Sequence, residues 1–436
     1  LIRNTRLMES TLCDPAASKH GAALLSRLDS SSQAWRTVQI EPRECLATPP
    51  SLPEDLSVFS VQWITERGDD DFLAITSHSA DASRAGAHVA RANAAQLAAA
   101  LSLVKNFRVS VEKQATNAAV PDGFSVTSGW GEVRNAVEFV LAPILSAWKS
   151  FLGGEGAKGK KIVLLVDQIL SPLPLEALEF LANAAAVSRD FSLHILLKRL
   201  ADAGSKGDVS PSGMTYLVDL RHEDTGDDDV IPAKFAAMKE RFGAAWHGAL
   251  GNSNDGVPGD GECQRVVSGA RGGLIYFGHG RFLSYVPPPV LACLDLTQCR
   301  VALLACDTFT NAARATQRRL DARRTERETR LEDAYETATL LSTRGVGTII
   351  LPVMPCTAFT NARTITTLLT ANEALDADAT PVDVASAVWK ADAPKRAGET
   401  PENEDAGAGA DARDVTEKPP YRRYIVWGLP SIKIRA

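Results

Sequence analysis

A histidine between two glycines and a cysteine followed by an aspartate are the residues of this chain best suited to nucleophilic chemistry. Gly278-His279-Gly280 ends the apolar run Leu274-Ile275-Tyr276-Phe277, and Ala305-Cys306-Asp307 ends a second, Val301-Ala302-Leu303-Leu304. Fully apolar runs this short predict strands buried on both faces, as in a parallel sheet covered by helices. The segment 281–298 between them is long enough for the crossover, here a helix, that parallel neighbours need. Adjacent strands lie about 5 Å apart, so His279 and Cys306 are expected to face each other at the carboxyl margin, where open α/β sheets place their ligands. In such a dyad Cys306 attacks a peptide carbonyl as thiolate and His279 holds or delivers the proton. The backbone N–H groups of Gly280 and Cys306 meet the developing oxyanion. Gly280 suits that task because a missing side chain lets a substrate come close to its N–H. Asp307 and Asp167 are the acidic residues expected at the same rim, where a substrate side chain is read.

Composition narrows the alternatives. The 436 residues are 45% hydrophobic, enough for one large core or two ordinary ones, and a net charge of −6 gives no overall drive toward nucleic acid or acidic membranes. The seven cysteines (Cys13, Cys45, Cys263, Cys293, Cys299, Cys306, Cys356) include no Cys-x-x-Cys and no partner histidine at zinc spacing. That pattern predicts no metal, no cofactor and a reduced, intracellular setting. No run of about 18 apolar residues is present to span a membrane, and no signal core follows the start. The chain begins at Leu1, in keeping with a piece of a longer protein.

The elements that must position the dyad follow in order. Residues 1–55 read as an extended arm with one helix near Ala22–Leu28. Val58–Ile64 alternates and, after a polar turn, pairs with Phe72–Thr76 as a hairpin. Helices are predicted over Ala87–Val104 and over Gly131–Phe151, the latter with Val133, Val137, Val140, Ile144 and Trp148 on one core-facing stripe. Gly154-x4-Gly159-Lys160 resembles a phosphate loop, but Lys161 replaces the required hydroxyl residue and a strand follows, so it reads as a linker. From Lys161 the pattern alternates: a strand at Ile162–Val166, a turn and first helical turn at Leu173–Leu178, an amphipathic helix from Ser188 to Leu200, a strand at Met214–Val218 and a helix at Ala233–Trp246. An exposed loop over Asn252–Glu262 leads to the two central strands, and strands at Val346–Val353 and Arg423–Trp427 close the chain. This repetition predicts an α/β fold with a mostly parallel sheet covered on both faces. A smaller α+β subdomain, residues 56–152, precedes the main domain, residues 161–430.

Two inserts interrupt that domain. Asn311–Glu336 carries seven arginines among Asp321, Glu326, Glu328, Glu332 and Asp333. It reads as a long solvated helix leaving the globule, or as a basic prong that docks on an acidic partner such as tubulin or nucleic acid. No aromatic residue interleaves it, which disfavours base stacking. Ala391–Pro420, rich in Ala, Gly, Glu, Asp and Pro, reads as disordered.

In this order the features resemble the CHAT and separase branch of the caspase-like clan. The likeness rests on Leu173-Pro174-Leu175-Glu176-Ala177-Leu178, Tyr276-Phe277-Gly278-His279-Gly280, Leu304-Ala305-Cys306-Asp307-Thr308, a glycine-led strand at Gly345, and Trp427-Gly428-Leu429-Pro430. Val187-Ser188-Arg189-Asp190-Phe191-Ser192-Leu193 and Phe282-Leu283-Ser284-Tyr285-Val286-Pro287-Pro288 further resemble the C-terminal region of a cilia- and flagella-associated protein family that builds a projection on the central-pair microtubules. That resemblance implies a caspase-like fold and a place in the axonemal cytoskeleton of cilia and flagella. It also implies partners among other central-apparatus proteins and tubulin, with no nucleic acid and no membrane.

Three functions stay open on the residues alone: a structural module of the ciliary central apparatus, a separase-like or CHAT-like cysteine endopeptidase, and a peptide-binding adaptor that does not cut. Against cutting, Asp307, Thr308 and Phe309 are bulkier than the small residues of separases. A negative charge beside Cys306 also disfavours its thiolate. Cys306 reads equally as a small buried hydrophobe, and His279 as a strand-end histidine bonded to backbone.

Overall fold

The computed structural model describes residues 52–65, 71–80, 84–115, 126–203, 208–220, 230–243, 245–251, 258, 260–307, 311–322, 324–330, 332–372, 382–393 and 421–434. Residues 1–51 of the arm 1–55, with its helix near Ala22–Leu28, and most of the acidic insert lie outside them. The chain opens with an antiparallel hairpin of β1 (Leu56–Thr65) and β2 (Asp71–Ser79), as its alternation predicts. A third strand, β3 (Gly86–Ala92), pairs with β2 where a helix from Ala87 was expected. Pairing with β2 overrides the helix propensity of the alanines here. Helix α1 (Ala94–Ala115) starts only after Asn93, whose Oδ1 accepts the N–H groups of Ala95 and Gln96. In α2 (Val126–Leu152) the predicted stripe is buried, from Trp130 and Val133 to Trp148 and Leu152.

β4 (Lys161–Val166) runs parallel to β1. The following Leu173–Leu178 segment forms short 3-10 turns, because Pro172 and Pro174 lack the N–H groups a longer helix needs. β5 (Ala186–Asp190) replaces the expected start of a helix at Ser188, and α3 (Leu193–Ala203) begins beyond it. Arg189 and Asp190 suggest a solvated helix face, yet both are fully buried in the strand. They are tolerated there because each has an opposite charge waiting.

The remainder alternates: β6 (Met214–Val218), α4 (Val230–Phe242), β7 (His247–Leu250), α5 (Asp260–Ser268), β8 (Gly272–His279), α6 (Pro288–Leu291) and β9 (Cys299–Asp307). Then come α7 (Asn311–Asp321), α8 (Glu326–Arg330), α9 (Ala334–Thr343), β10 (Thr348–Pro352), α10 (Ala358–Thr370), α11 (Val384–Ala391) and β11 (Tyr424–Gly428). The connector after β8 holds only a 3-10 turn and the four-residue α6 where a crossover helix was expected.

One sheet results, in the order β3-β2-β1-β4-β5-β11-β10-β9-β8-β6-β7. Val58, Val163, Ile275 and Leu303 share one apolar face with α4, α10 and α11. The alternate residues Phe59 and Leu164 face α1 and α2, and Tyr276 and Leu304 face α5 and α9, on the other side. The sheet is thus mostly parallel and covered by helices on both faces. β1, β4, β5 and β11 run one way, and β10, β9, β8, β6 and β7 run the other. The antiparallel β10–β11 pair joins the two halves.

Buried polar side chains fasten that joint. Arg189, opposite Trp427 across β5 and β11, gives Nε and Nη2 to the two oxygens of Glu176 at 2.5 and 2.7 Å and further N–H groups to the carbonyls of Ser171 and Leu173. Asp190 pairs with Arg199 at 3.3 Å, and Arg199 donates to the carbonyls of Val346 and Gly347 ahead of β10. Asp392 closes the start of β11 by accepting the N–H groups of Arg423 and Tyr424.

Replacing Arg189 by Met leaves Glu176 as an uncompensated buried charge, so chemical denaturation should show a loss of about 3–5 kcal/mol, and the Arg189→Met, Glu176→Met double variant should recover most of it. A second test concerns pH. Burial pushes the Asp392 carboxyl up to about 6 against the pull of its hydrogen bonds and of Arg422 and Arg423. The folded state therefore binds a proton between pH 4 and 6 that the unfolded chain has released, and stability falls as pH rises through that window. The stability of the native chain relative to Asp392→Asn should fall by roughly 1–3 kcal/mol from pH 4 to pH 7 in urea titrations.

Candidate functional site

β8 and β9 are parallel neighbours, as the two apolar runs predict, and their carboxyl ends lie at one margin. Cys306 pairs with Gly278, and His279 with Asp307, so histidine and cysteine are diagonal neighbours one step out of register. Consecutive strand residues alternate in direction. The Cys306 Cα–Cβ bond leaves the sheet on the face of Tyr276 and Leu304, whereas that of His279 leaves it on the face of Phe277 and Ala305. Both residues are buried, at 9% and 7% exposure, and both His279 ring nitrogens are sealed from water.

The turn after β8 is held rigidly. Tyr276 donates its hydroxyl to the carbonyls of His279 and Gly280, at 3.1 and 2.9 Å, and Tyr285 donates to that of His279 at 2.8 Å. Burial, reinforced by Tyr285, Cys306 and Asp219, drives the Tyr276 hydroxyl well above its ordinary pKa, so it remains a donor. Gly280 has φ +82°, a left-handed conformation that favours glycine, and a Cβ there would lie 3.0 Å from Gln317 Oε1. The same Gln317 oxygen accepts the N–H of Arg281 at 2.8 Å. The backbone beside the expected oxyanion donor is therefore already occupied by a side chain of α7.

The arginine-rich insert accounts for this. It is not one long helix leaving the globule: α7 ends at Asp321, α8 spans five residues, and the chain folds back over the margin. Glu332, 4% exposed, is the anchor. It accepts Arg281 Nε at 2.8 Å and Ser284 Oγ at 2.7 Å, and it pairs with Arg324. Arg281 also reaches Asp321 at 2.7 Å, and Gln317 bridges Asp321 and Ser284. Burial alone would lower the Arg281 pKa, but Glu332 and Asp321 outweigh it and raise it. Opposite charges in the insert satisfy one another and the turn after β8, and that removes the reason for a solvated helix.

Asp167 belongs elsewhere. It follows β4, in the half-sheet that runs opposite to β9, so its end of the sheet is not the Cys306 margin. There Asp167 Oδ2 accepts the Trp63 N–H at 3.3 Å. Asp307 sits in register with His279, whereas Thr308 and Phe309 lie outside the described residues. Gln317, Ser284, Arg324 and Glu332 were not legible as site residues, since no motif marks them and the register that joins them is tertiary. Among the described residues no cluster of three His, Cys, Asp or Glu side chains could hold a metal ion, and no helix is long and apolar enough to cross a membrane.

No family model matches the chain. In an alignment 237 residues long that covers 45% of this chain, it is 32% identical to cilia- and flagella-associated protein 46 of Chlamydomonas reinhardtii, of which it spans 8%. Two crystal structures of the Saccharomyces cerevisiae separase–securin complex superpose on 86% and 94% of this chain with TM-scores of 0.52 and 0.51. The identities are 12% and 11%, over 30% and 31% of the matched chains, a likeness of fold alone. Part of the chain is similar to cilia- and flagella-associated protein 46, and its fold is similar to that of separase. The sequence resemblances thus hold at the level of the fold and of the ciliary relative.

The closed margin has a chemical consequence. Alkylation followed by peptide mapping should modify partly exposed Cys293 before Cys306, and long before Cys299, whose thiol burial pushes up to about 12. Glu332→Gln, by loosening the insert, should speed Cys306 labelling several-fold with little change at Cys293; equal rates in both proteins would show that the insert does not close the margin.

Proposed function

We propose that this chain is a structural docking module of the axonemal central apparatus in cilia and flagella, a caspase-like domain that assembles with other central-apparatus proteins and with tubulin rather than cleaving them. The observation that carries the reading is the occupation of the dyad margin by the chain's own insert, with Gln317 on the Arg281 N–H and beside Gly280. A protease needs that backbone open for a substrate carbonyl. The identity with a protein named for cilia and flagella supports the location, and fold alone does not carry activity across.

A second reading keeps one observation in its favour. Parallel neighbours β8 and β9 bring His279 and Cys306 to one margin of a separase-like sheet. On that reading the chain is a cysteine endopeptidase with a His279/Cys306 dyad and Gly280 as oxyanion donor, opened when the insert leaves.

The two are separated by a thiol-directed electrophilic peptide probe and by co-sedimentation with axonemal microtubules. The docking reading expects no labelling of Cys306 that depends on His279, unchanged co-sedimentation for Cys306→Ala, and reduced co-sedimentation when exposed Arg318 and Arg319 are changed to Glu. Rapid labelling of Cys306 that His279→Ala abolishes, together with cleavage of a peptide library, overturns it.

A further inference from the structure

The two ends of the sheet differ. β7, at one end, is four residues long, and so short an edge offers a second chain little to pair with. β3, at the other, runs seven residues, all of them paired with β2 in unbroken register. Exposed edges are blunted by lysine, proline, a bulge or a covering element. β3 has no lysine, no proline and no bulge, and its one fixed charge is Arg91. Among the described residues no strand lies on its outer side. The face of the sheet beside this edge is also apolar. Leu73, Ile75 and Ala90 point toward α1 and α2, so their strand neighbours point the other way. There Ile64 lies opposite Phe72, and Ala74 opposite Val89, so the four share one face. Val89 is 56% exposed and Ile64 38%, and neither they nor Phe72 join an apolar core.

The residues of β3 identify what pairs with it. Laid antiparallel to itself about Val89, the strand sets Val89 against Val89, His88 against Ala90, Ala87 against Arg91 and Gly86 against Ala92. His88 and Arg91 each meet an alanine, no like charges are opposed, and the two valines form a β-branched cross-strand pair. We propose that β3 is a twofold contact between two copies of this chain, joining their sheets edge to edge. Backbone N–H and C=O groups on the outer side of β3 pair across the axis, and the apolar faces of the two copies become continuous through Val89. The contact is the same patch on both copies, so it closes at a dimer. The free ends of the joined sheet are then the two short β7 strands, which do not propagate it. This contact goes beyond the docking reading above and is independent of Cys306.

Sedimentation equilibrium of the full 436-residue chain tests it. The native chain should show a concentration-dependent mass that rises to that of two chains and stops there. Val89→Lys sets two ammonium groups opposite each other and should raise the dissociation constant at least tenfold. Exposed position 87 checks the register, because it faces Arg91 of the other copy. Ala87→Glu should tighten the dimer several-fold and Ala87→Arg should weaken it, with both effects fading as salt rises. Far-ultraviolet circular dichroism identical to that of the native chain shows that each variant folds. A monomer at every concentration, a dimer that Val89→Lys leaves intact, or the same response to Ala87→Glu and Ala87→Arg overturns the proposal. A chain that stays monomeric, yet loses co-sedimentation with axonemal microtubules on Val89→Lys, gives the edge to another protein and overturns it as well. None of these outcomes touches the labelling of Cys306, so the docking reading stands or falls separately.

Discussion

Arg189 has no exposure to water, and the architecture depends on the partners it finds. An unpaired ion in that position would cost several kcal/mol even after relaxation. Glu176 and the carbonyls of Ser171 and Leu173 accept four hydrogen bonds from its guanidinium, and Trp427 lies 5.7 Å away across its face. These partners come from a segment that proline keeps out of a long helix, which is why its short turns can present bare carbonyls toward the sheet. A continuous helix would have consumed those carbonyls in its own hydrogen bonds. The parallel β5–β11 seam, next to the antiparallel β10–β11 joint of the two half-sheets, is thus held by side chains where backbone pairing is sparse: β5 and β11 meet at Trp427 and Arg189, while Ser188 and Thr348 reach the carbonyls of Gly428 and Leu429.

That joint decides which residues can share a margin. Because β4 and β9 run oppositely, the end of one is the beginning of the other, and an acidic residue after β4 cannot serve a thiol after β9. Only the ends of β10, β9, β8, β6 and β7 face the same way. The charges that reach the Cys306 margin come instead from the arginine-rich insert, where Glu332 gathers Arg281, Arg324 and Ser284. One buried carboxylate organises a run of sequence that otherwise looks like surface.

The sequence carried most of the fold because short apolar runs report burial on both faces directly. β4, β6, β8, β9, β10 and β11 were legible for that reason. The misses have a common cause. β5 contains Arg189 and Asp190, and β3 contains mostly small residues, so neither looks apolar; both become strands through pairing partners far away in sequence. The adjacency of His279 and Cys306 was legible, but the one-step offset between them was not, since register is set by packing rather than by where an apolar run stops. Within the insert the Glu326–Arg330 pair forms as its spacing predicts, but the insert is not one long helix, because Glu332 and Asp321 pair instead with Arg281 and Ser284 on the turn after β8.

The strength of the insert's hold bears on which function the fold can serve. Exposed ion pairs contribute little, but Glu332 is withdrawn from water and each of its oxygens has a donor. If opening the insert costs on the order of 3 kcal/mol, as breaking a buried pair does, about one molecule in 150 is open at any moment. A protease closed to that extent loses the same factor in turnover unless a partner removes the insert, and nothing in the ion pairs makes removal easy. A docking module gains from the identical arrangement: buried ion pairs hold the margin, Gln317 takes the Arg281 N–H, and Arg318 and Arg319 of α7 face solvent. The physical balance therefore favours a scaffold, and it does so through Glu332 rather than through any defect in Cys306 itself.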